Sequence, residues 1–199
     1  MTPEQEVQKI LASTPCRHRK SLWKHALQFV EVEGLWLEFG VSKGTSLDFL
    51  SRNAPGGVMY GFDTFQGLPE DWDLGDSVKP KGTFKGKPIG KAPTATLITG
   101  LFEDSLPGFV EDYTDQVALL HIDSDLYASC VTVFNYLEER LVPGTVIIFD
   151  EIYNYPNYAK DEMKAWLEML ERFPVHEYRW LGHVPKKSAA ALQITGWST

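Results

Sequence analysis

Leu35-Trp36-Leu37-Glu38-Phe39-Gly40-Val41-Ser42-Lys43-Gly44-Thr45-Ser46 passes from an apolar, strand-length run through two glycines into a segment of helical period that ends near Asn53. A strand end followed by glycines and a helix start brings free backbone N–H groups close to whatever lies above them. The spacing is not that of a G-x-x-x-x-G-K-[ST] phosphate loop, since Lys43 precedes Gly44, nor is it G-x-G-x-x-G. It predicts a polar ligand at this turn, the plain alternative being a tight turn that binds nothing.

Working outward, the same alternation recurs. Apolar runs at Val58–Asp63, Ala95–Thr99, Val117–Ile122 and Thr145–Phe149 predict four further strands, separated by helices near 104–113 and 129–141 and followed by one near 160–172. Two last runs, His176–Leu181 and Ala189–Ile194, have no helix between them and predict an antiparallel C-terminal hairpin. Strands joined by helical crossovers predict an α/β, Rossmann-like, doubly wound three-layer sandwich with a mostly parallel sheet. Ligands in such folds lie beyond the carboxyl ends of the strands, so functional residues should follow strands. Residues 1–199 read as a single domain, with an N-terminal helical segment over 1–33 that suits a homodimer interface. The connection over 64–94, rich in glycine and carrying Lys79, Lys81, Lys85, Lys87 and Lys91, reads as a lid-like loop.

The 199 residues are 43% hydrophobic and 23% charged, which suffices for one buried core and excludes a disordered chain. No apolar run approaches the roughly 20 residues of a bilayer span, and the N-terminus lacks the features of a secretory signal. Cys16 and Cys130 have neither metal-site nor redox spacing, so a cytoplasmic protein is expected. A net charge of −8 repels phosphate backbones, so neither nucleic acid nor membrane is an expected partner.

Asp63 ends the second predicted strand 19 residues after Gly44, a position from which a carboxylate can accept hydrogen bonds from ribose hydroxyls. Gly100-Leu101-Phe102-Glu103-Asp104-Ser105-Leu106-Pro107 follows the third strand and offers an apolar wall and a polar edge to a purine, although Asp104 or Ser105 there could equally cap the next helix. The largest concentration of charge is acidic: His121-Ile122-Asp123-Ser124-Asp125 ends the fourth strand and Asp150-Glu151 the fifth. On neighbouring strands, roughly 5 Å apart, these carboxylates converge and call for a hard cation, Mg²⁺ or Ca²⁺, with Mg²⁺ favoured at an open site. Asp125 could instead cap the helix beginning near Tyr127. His121 reads as a structural histidine, and Tyr153, Tyr155 and Tyr158 read equally well as an acceptor wall or as loop packing.

Glu38-x-Gly40-x-x-x-Gly44 resembles the first motif of class I S-adenosylmethionine-dependent methyltransferases. Gly61-Phe62-Asp63-Thr64-Phe65-Gln66-Gly67-Leu68-Pro69, with His121-Ile122-Asp123-Ser124-Asp125-Leu126-Tyr127, resembles more narrowly the macrocin and mycinamicin sugar O-methyltransferases. The resemblance implies a seven-stranded sheet in the order 3-2-1-4-5-7-6. It implies S-adenosylmethionine held by Glu38, Gly40, Gly44 and Ser46 at the methionine moiety, by Asp63 at the ribose and by Phe102 and Glu103 at the adenine. Mg²⁺ would sit on Asp123, Asp150 and Glu151, and Asp123 and Asp125 would act in catalysis on a hydroxyl of a small acceptor, a sugar or an anionic glycoconjugate among them. Glu151 stands where the sugar enzymes often carry a second aspartate, and Leu126 where catechol-type enzymes carry a lysine base. Two rivals use the same glycine turn: an NAD-dependent sugar oxidoreductase, and a non-catalytic cofactor-binding or partner module.

Overall fold

The computed structural model describes residues 1–55, 58–87, 94–173 and 176–197. Eight strands form one sheet: β1 (Thr14–Pro15), β2 (Leu35–Phe39), β3 (Met59–Asp63), β6 (Ala95–Thr99), β7 (Val117–Ile122), β8 (Leu141–Phe149), β9 (His176–His183) and β10 (Ala190–Trp197). Their order is β1-β9-β10-β8-β7-β2-β3-β6. Without β1 this is the expected 3-2-1-4-5-7-6 arrangement. The sheet has eight strands rather than seven because Thr14–Pro15 adds a short parallel edge beside Gly182 and His183. β10 runs antiparallel to β8 and β9, as the helix-free hairpin requires, and β2, β3, β6, β7 and β8 pair in parallel.

The central strands are buried on both faces, and this is why β2 and β7 read as continuous apolar runs. Leu35, Leu37 and Phe39 face α4 (Phe102–Asp112), α5 (Tyr127–Leu137) and α6 (Glu162–Arg172), together with Ile10 of α1 (Pro3–Leu11). Trp36 faces the opposite layer, α2 (Arg19–Ala26) and α3 (Thr45–Ser51). The N-terminal segment therefore contributes to both outer layers of the core. Within the segment expected to be helical over 1–33, the second helix ends at Ala26 and passes into a single 3₁₀ turn over Leu27–Phe29.

The connection after β3 is partly ordered into a hairpin of β4 (Trp72–Asp73) and β5 (Val78–Lys79). Leu68 and Trp72 pack with Leu126, Leu74 and Tyr155 in a small separate cluster. The Trp72 indole N–H donates to Asp161 Oδ2 at 3.0 Å, and Asn157 donates through its backbone N–H to the Leu74 carbonyl and through Nδ2 to the Asp73 carbonyl. Residues 88–93, which include Lys91, lie outside the described residues.

Trp72→Ala removes a buried ring and a hydrogen bond to a carboxylate, a contact class worth about 1.5–3 kcal/mol. Trypsin cleavage at Lys81 and Lys85 should accelerate at least about tenfold while the global melting temperature changes little. Cleavage at the wild-type rate would show that Trp72 does not hold the hairpin down.

Candidate active site

The parallel ladder continues one residue past the strand ends. Gly40 N–H donates to the Phe62 carbonyl (2.9 Å), Asp123 N–H to the Phe39 carbonyl (2.9 Å), Asp150 N–H to the Ile122 carbonyl (2.9 Å) and Gly100 N–H to the Asp63 carbonyl (3.2 Å). A Cβ on Gly40 would lie 1.8 Å from the Asp123 carbonyl oxygen, and its φ is +94°, so only glycine fits where the tips of β2 and β7 meet. Above these tips lies a cleft of 470 Å³, within the roughly 300–1,000 Å³ usual for cofactor and substrate sites.

On the β2–β3–β6 side, Asp63 folds back on the glycine turn. Its Oδ2 accepts from the N–H groups of Val41 (2.8 Å) and Ser42 (2.7 Å), and its Oδ1 from that of Phe65 (2.6 Å). Three of a carboxylate's roughly four acceptor positions are thus taken, leaving about one for a ribose hydroxyl. Glu38 is fully buried under the turn, accepts from Ser46 Oγ at 2.6 Å and lies 3.7 Å from His121 Nδ1. Gly44 starts α3 with φ +72°. Glu38, Gly44 and Ser46 therefore shape the turn from within, whereas Gly40, Asp63, Phe102 and Glu103 line the cleft. Phe102 also packs edge-on against Phe39, and neither Asp104 nor Ser105 caps α4, whose N-cap is Leu101 with no side-chain bond.

On the β7–β8 side, carboxylate oxygens of Asp123, Asp125 and Glu151 all lie within 4.8 Å of one another. Asp150 and Glu162 adjoin them, and Glu162 Oε2 accepts from the Glu151 backbone N–H at 3.2 Å. Burial first, then Asp150 and Asp125, pushes the Asp123 carboxyl well above the usual range. Burial, Asp150 and Asp161, opposed by Arg19, push Asp125 up to about 7. Glu151 and Glu162 are raised well above the usual range by burial and the neighbouring acids. Oε2 of Glu151 and Oε1 of Glu162 are buried with no hydrogen-bond partner. Clustered hard oxygen donors with unpartnered lone pairs fit Mg²⁺. Asp125 is not a helix cap, because the N-cap of α5 is Leu126.

Three charged participants escaped the sequence. Arg19, at the start of α2, forms ion pairs with Asp150 and, at 2.7 Å, with Glu151. Asp161 and Glu162, in the segment predicted only as a helix near 160–172, are the other two. The tyrosines serve packing against other elements: Tyr153 donates to the Val184 carbonyl and Tyr155 to Asp161, and neither lines the cleft. His121 and Cys130 are fully buried, though no hydrogen bond holds the histidine ring.

This fold and this turn define a class I S-adenosylmethionine-dependent methyltransferase. The chain belongs to the methyltransferase-domain family, whose model matches residues 37–152, more than half its length. The calicheamicin methyltransferase CalS11 superposes with a TM-score of 0.68 at 21% identity, over 96% of this chain and 91% of that one. For the O-methyltransferase NovP the values are 0.62 and 18%, over 87% and 79%. An O-methyltransferase from Bacillus cereus, solved in complex with S-adenosylhomocysteine, gives 0.59 and 19%, over 97% and 90%. No curated protein shows significant similarity to the chain. Among the described residues no helix is long and apolar enough to cross a membrane.

Acids whose folded pKa is raised bind more protons folded than unfolded, so stability falls as pH rises from the unfolded value toward the folded one, for Asp125 from about 4 to about 7. The metal-free protein should melt at lower temperature at about pH 8 than at about pH 5, and millimolar Mg²⁺ should restore more at the higher pH. A melting temperature that rises with pH and ignores Mg²⁺ would contradict these shifts.

Proposed function

We propose that this enzyme moves the methyl group of S-adenosylmethionine to a hydroxyl of a small acceptor, a sugar or sugar-containing metabolite, assisted by Mg²⁺. The observation that carries the reading is the shared cleft, which joins the glycine turn and Asp63 on one side to Asp123, Asp125, Asp150 and Glu151 on the other. The comparisons support it, since CalS11 is described as a TDP-rhamnose 3'-O-methyltransferase. The narrower likeness to macrocin-type sugar enzymes points the same way. The NAD-dependent oxidoreductase shares the turn but has no use for the acid cluster.

Methyl transfer is an in-line displacement at a sulfonium carbon, so the protein's task is to align an acceptor oxygen and take its proton. Gly40 and Asp63 place the cofactor's polar groups over the sheet, and Phe102 with Glu103 borders its base. Asp123, Asp150 and Glu151 would hold Mg²⁺, which when bound makes an acceptor hydroxyl more acidic. Asp123 and Asp125 stand side by side at the end of β7, and we assign the proton to this pair. Leu68, Pro69 and Phe84 wall the cleft from the hairpin segment, which also carries Lys79, Lys81 and Lys85.

A screen of nucleotide sugars and glycosides should reveal acceptor-dependent release of S-adenosylhomocysteine. Asp123→Asn should lower that turnover at least about a hundredfold, the range of one general acid–base contribution, while still binding S-adenosylhomocysteine. Undiminished turnover in Asp123→Asn would remove Asp123 from the mechanism.

A further inference from the structure

Arg19 is the only guanidinium or ammonium group among the described residues that lines the cleft. It faces Asp123, Asp125, Asp150 and Glu151, with Glu162 behind them. One positive charge does not neutralise this group, and the unpartnered oxygens of Glu151 and Glu162 show the shortfall. Arg19 does not reach the acids from the strand tips. It comes from the first turn of α2, whose start is fixed by reciprocal bonds between His18 and Ser21. Its side chain is 37% exposed and its Nε is buried without a hydrogen-bond partner, so its hold on the cluster rests on Nη2 alone. A guanidinium held by one nitrogen forgoes the two-pronged geometry that makes Arg–carboxylate pairs strong.

Building on the cation reading above, we infer that Arg19 is the site's resident counter-ion, competing with the divalent cation for Asp150 and Glu151. In the metal-free protein it neutralises acids whose unpaired burial would be costly. A cation loaded on the same two carboxylates repels the guanidinium and draws on the same negative charge, so binding it weakens their ion pairs with Arg19. Arg19 therefore sets the concentration at which the cation binds, and the N-terminal segment senses occupancy through it. If Arg19 holds the carboxylates nine-tenths of the time, apparent cation affinity is about tenfold weaker than the intrinsic value.

The test is a titration with Mn²⁺ alone, read by the electron paramagnetic resonance of the free ion, on wild type, Arg19→Gln and Asp123→Asn. Arg19→Gln should bind Mn²⁺ about tenfold more tightly than wild type, and Asp123→Asn should lose the site. A second readout needs no charge-deleted variant: in wild type, the Arg19 Nε–H resonance, assigned by its absence in Arg19→Lys, should shift in step with Mg²⁺ saturation. Equal or weaker Mn²⁺ affinity in Arg19→Gln, with binding in wild type that Asp123→Asn abolishes, would overturn the role of Arg19 and leave the cation site standing. An Arg19 resonance unmoved by saturating Mg²⁺ would overturn it as well. Absence of Mn²⁺ binding in wild type and Arg19→Gln alike would remove the cation reading, and this inference with it.

Discussion

The backbone bonds that carry the parallel ladder past the ends of β2, β7 and β8 are the constraint on which the site depends. Because Asp123 N–H binds the Phe39 carbonyl and Asp150 N–H binds the Ile122 carbonyl, the first residue beyond each strand is held in register with its neighbour. Strand spacing then dictates side-chain spacing, and the acids that follow β7 and β8 are brought together whether or not their charges favour it. The glycine turn answers to the same ladder. With no Cβ at position 40 the Asp123 carbonyl closes against it, and Asp63 gathers the next two N–H groups of the turn.

The electrostatic consequence is a cleft of two unlike halves. The cofactor side is built from backbone and one carboxylate whose bonds are nearly spent on the turn itself. The other side concentrates carboxylates that burial and mutual repulsion push toward their protonated forms, relieved by Arg19 from a different layer of the fold. An acid cluster assembled by the backbone in this way is stable when protonated, when paired with Arg19, or when a cation is bound. The last two states keep the carboxylates ionised, as a reaction that must dispose of a proton requires.

Much of the architecture was legible because buried parallel strands announce themselves as apolar runs: Leu35–Phe39 and Val117–Ile122 begin and end where the sequence places them, as does the more exposed edge strand Ala95–Thr99. β8 starts earlier than expected, at Leu141, since Pro143-Gly144 reads as a turn whereas the structure carries the strand through it with Gly144 at φ +99°. The β4–β5 hairpin was not legible, for its two-residue strands carry no periodicity and depend on Trp72 finding Asp161, 89 residues away. The strand-end acids were visible because each follows its own apolar run. Arg19 was invisible because it lies 132 residues from Glu151, and nothing in the local pattern of α2 separates it from a solvated helix start.

The central claim is that one cleft binds an S-adenosyl ligand on its glycine-turn side independently of the cation on its acidic side. Calorimetric titration of S-adenosylhomocysteine, with Mg²⁺ and again with chelator, tests it most directly, with NAD as the control ligand. The account predicts one S-adenosylhomocysteine per chain, an affinity that survives chelation, and no heat from NAD. Binding of NAD in its place, or of neither ligand, would contradict it.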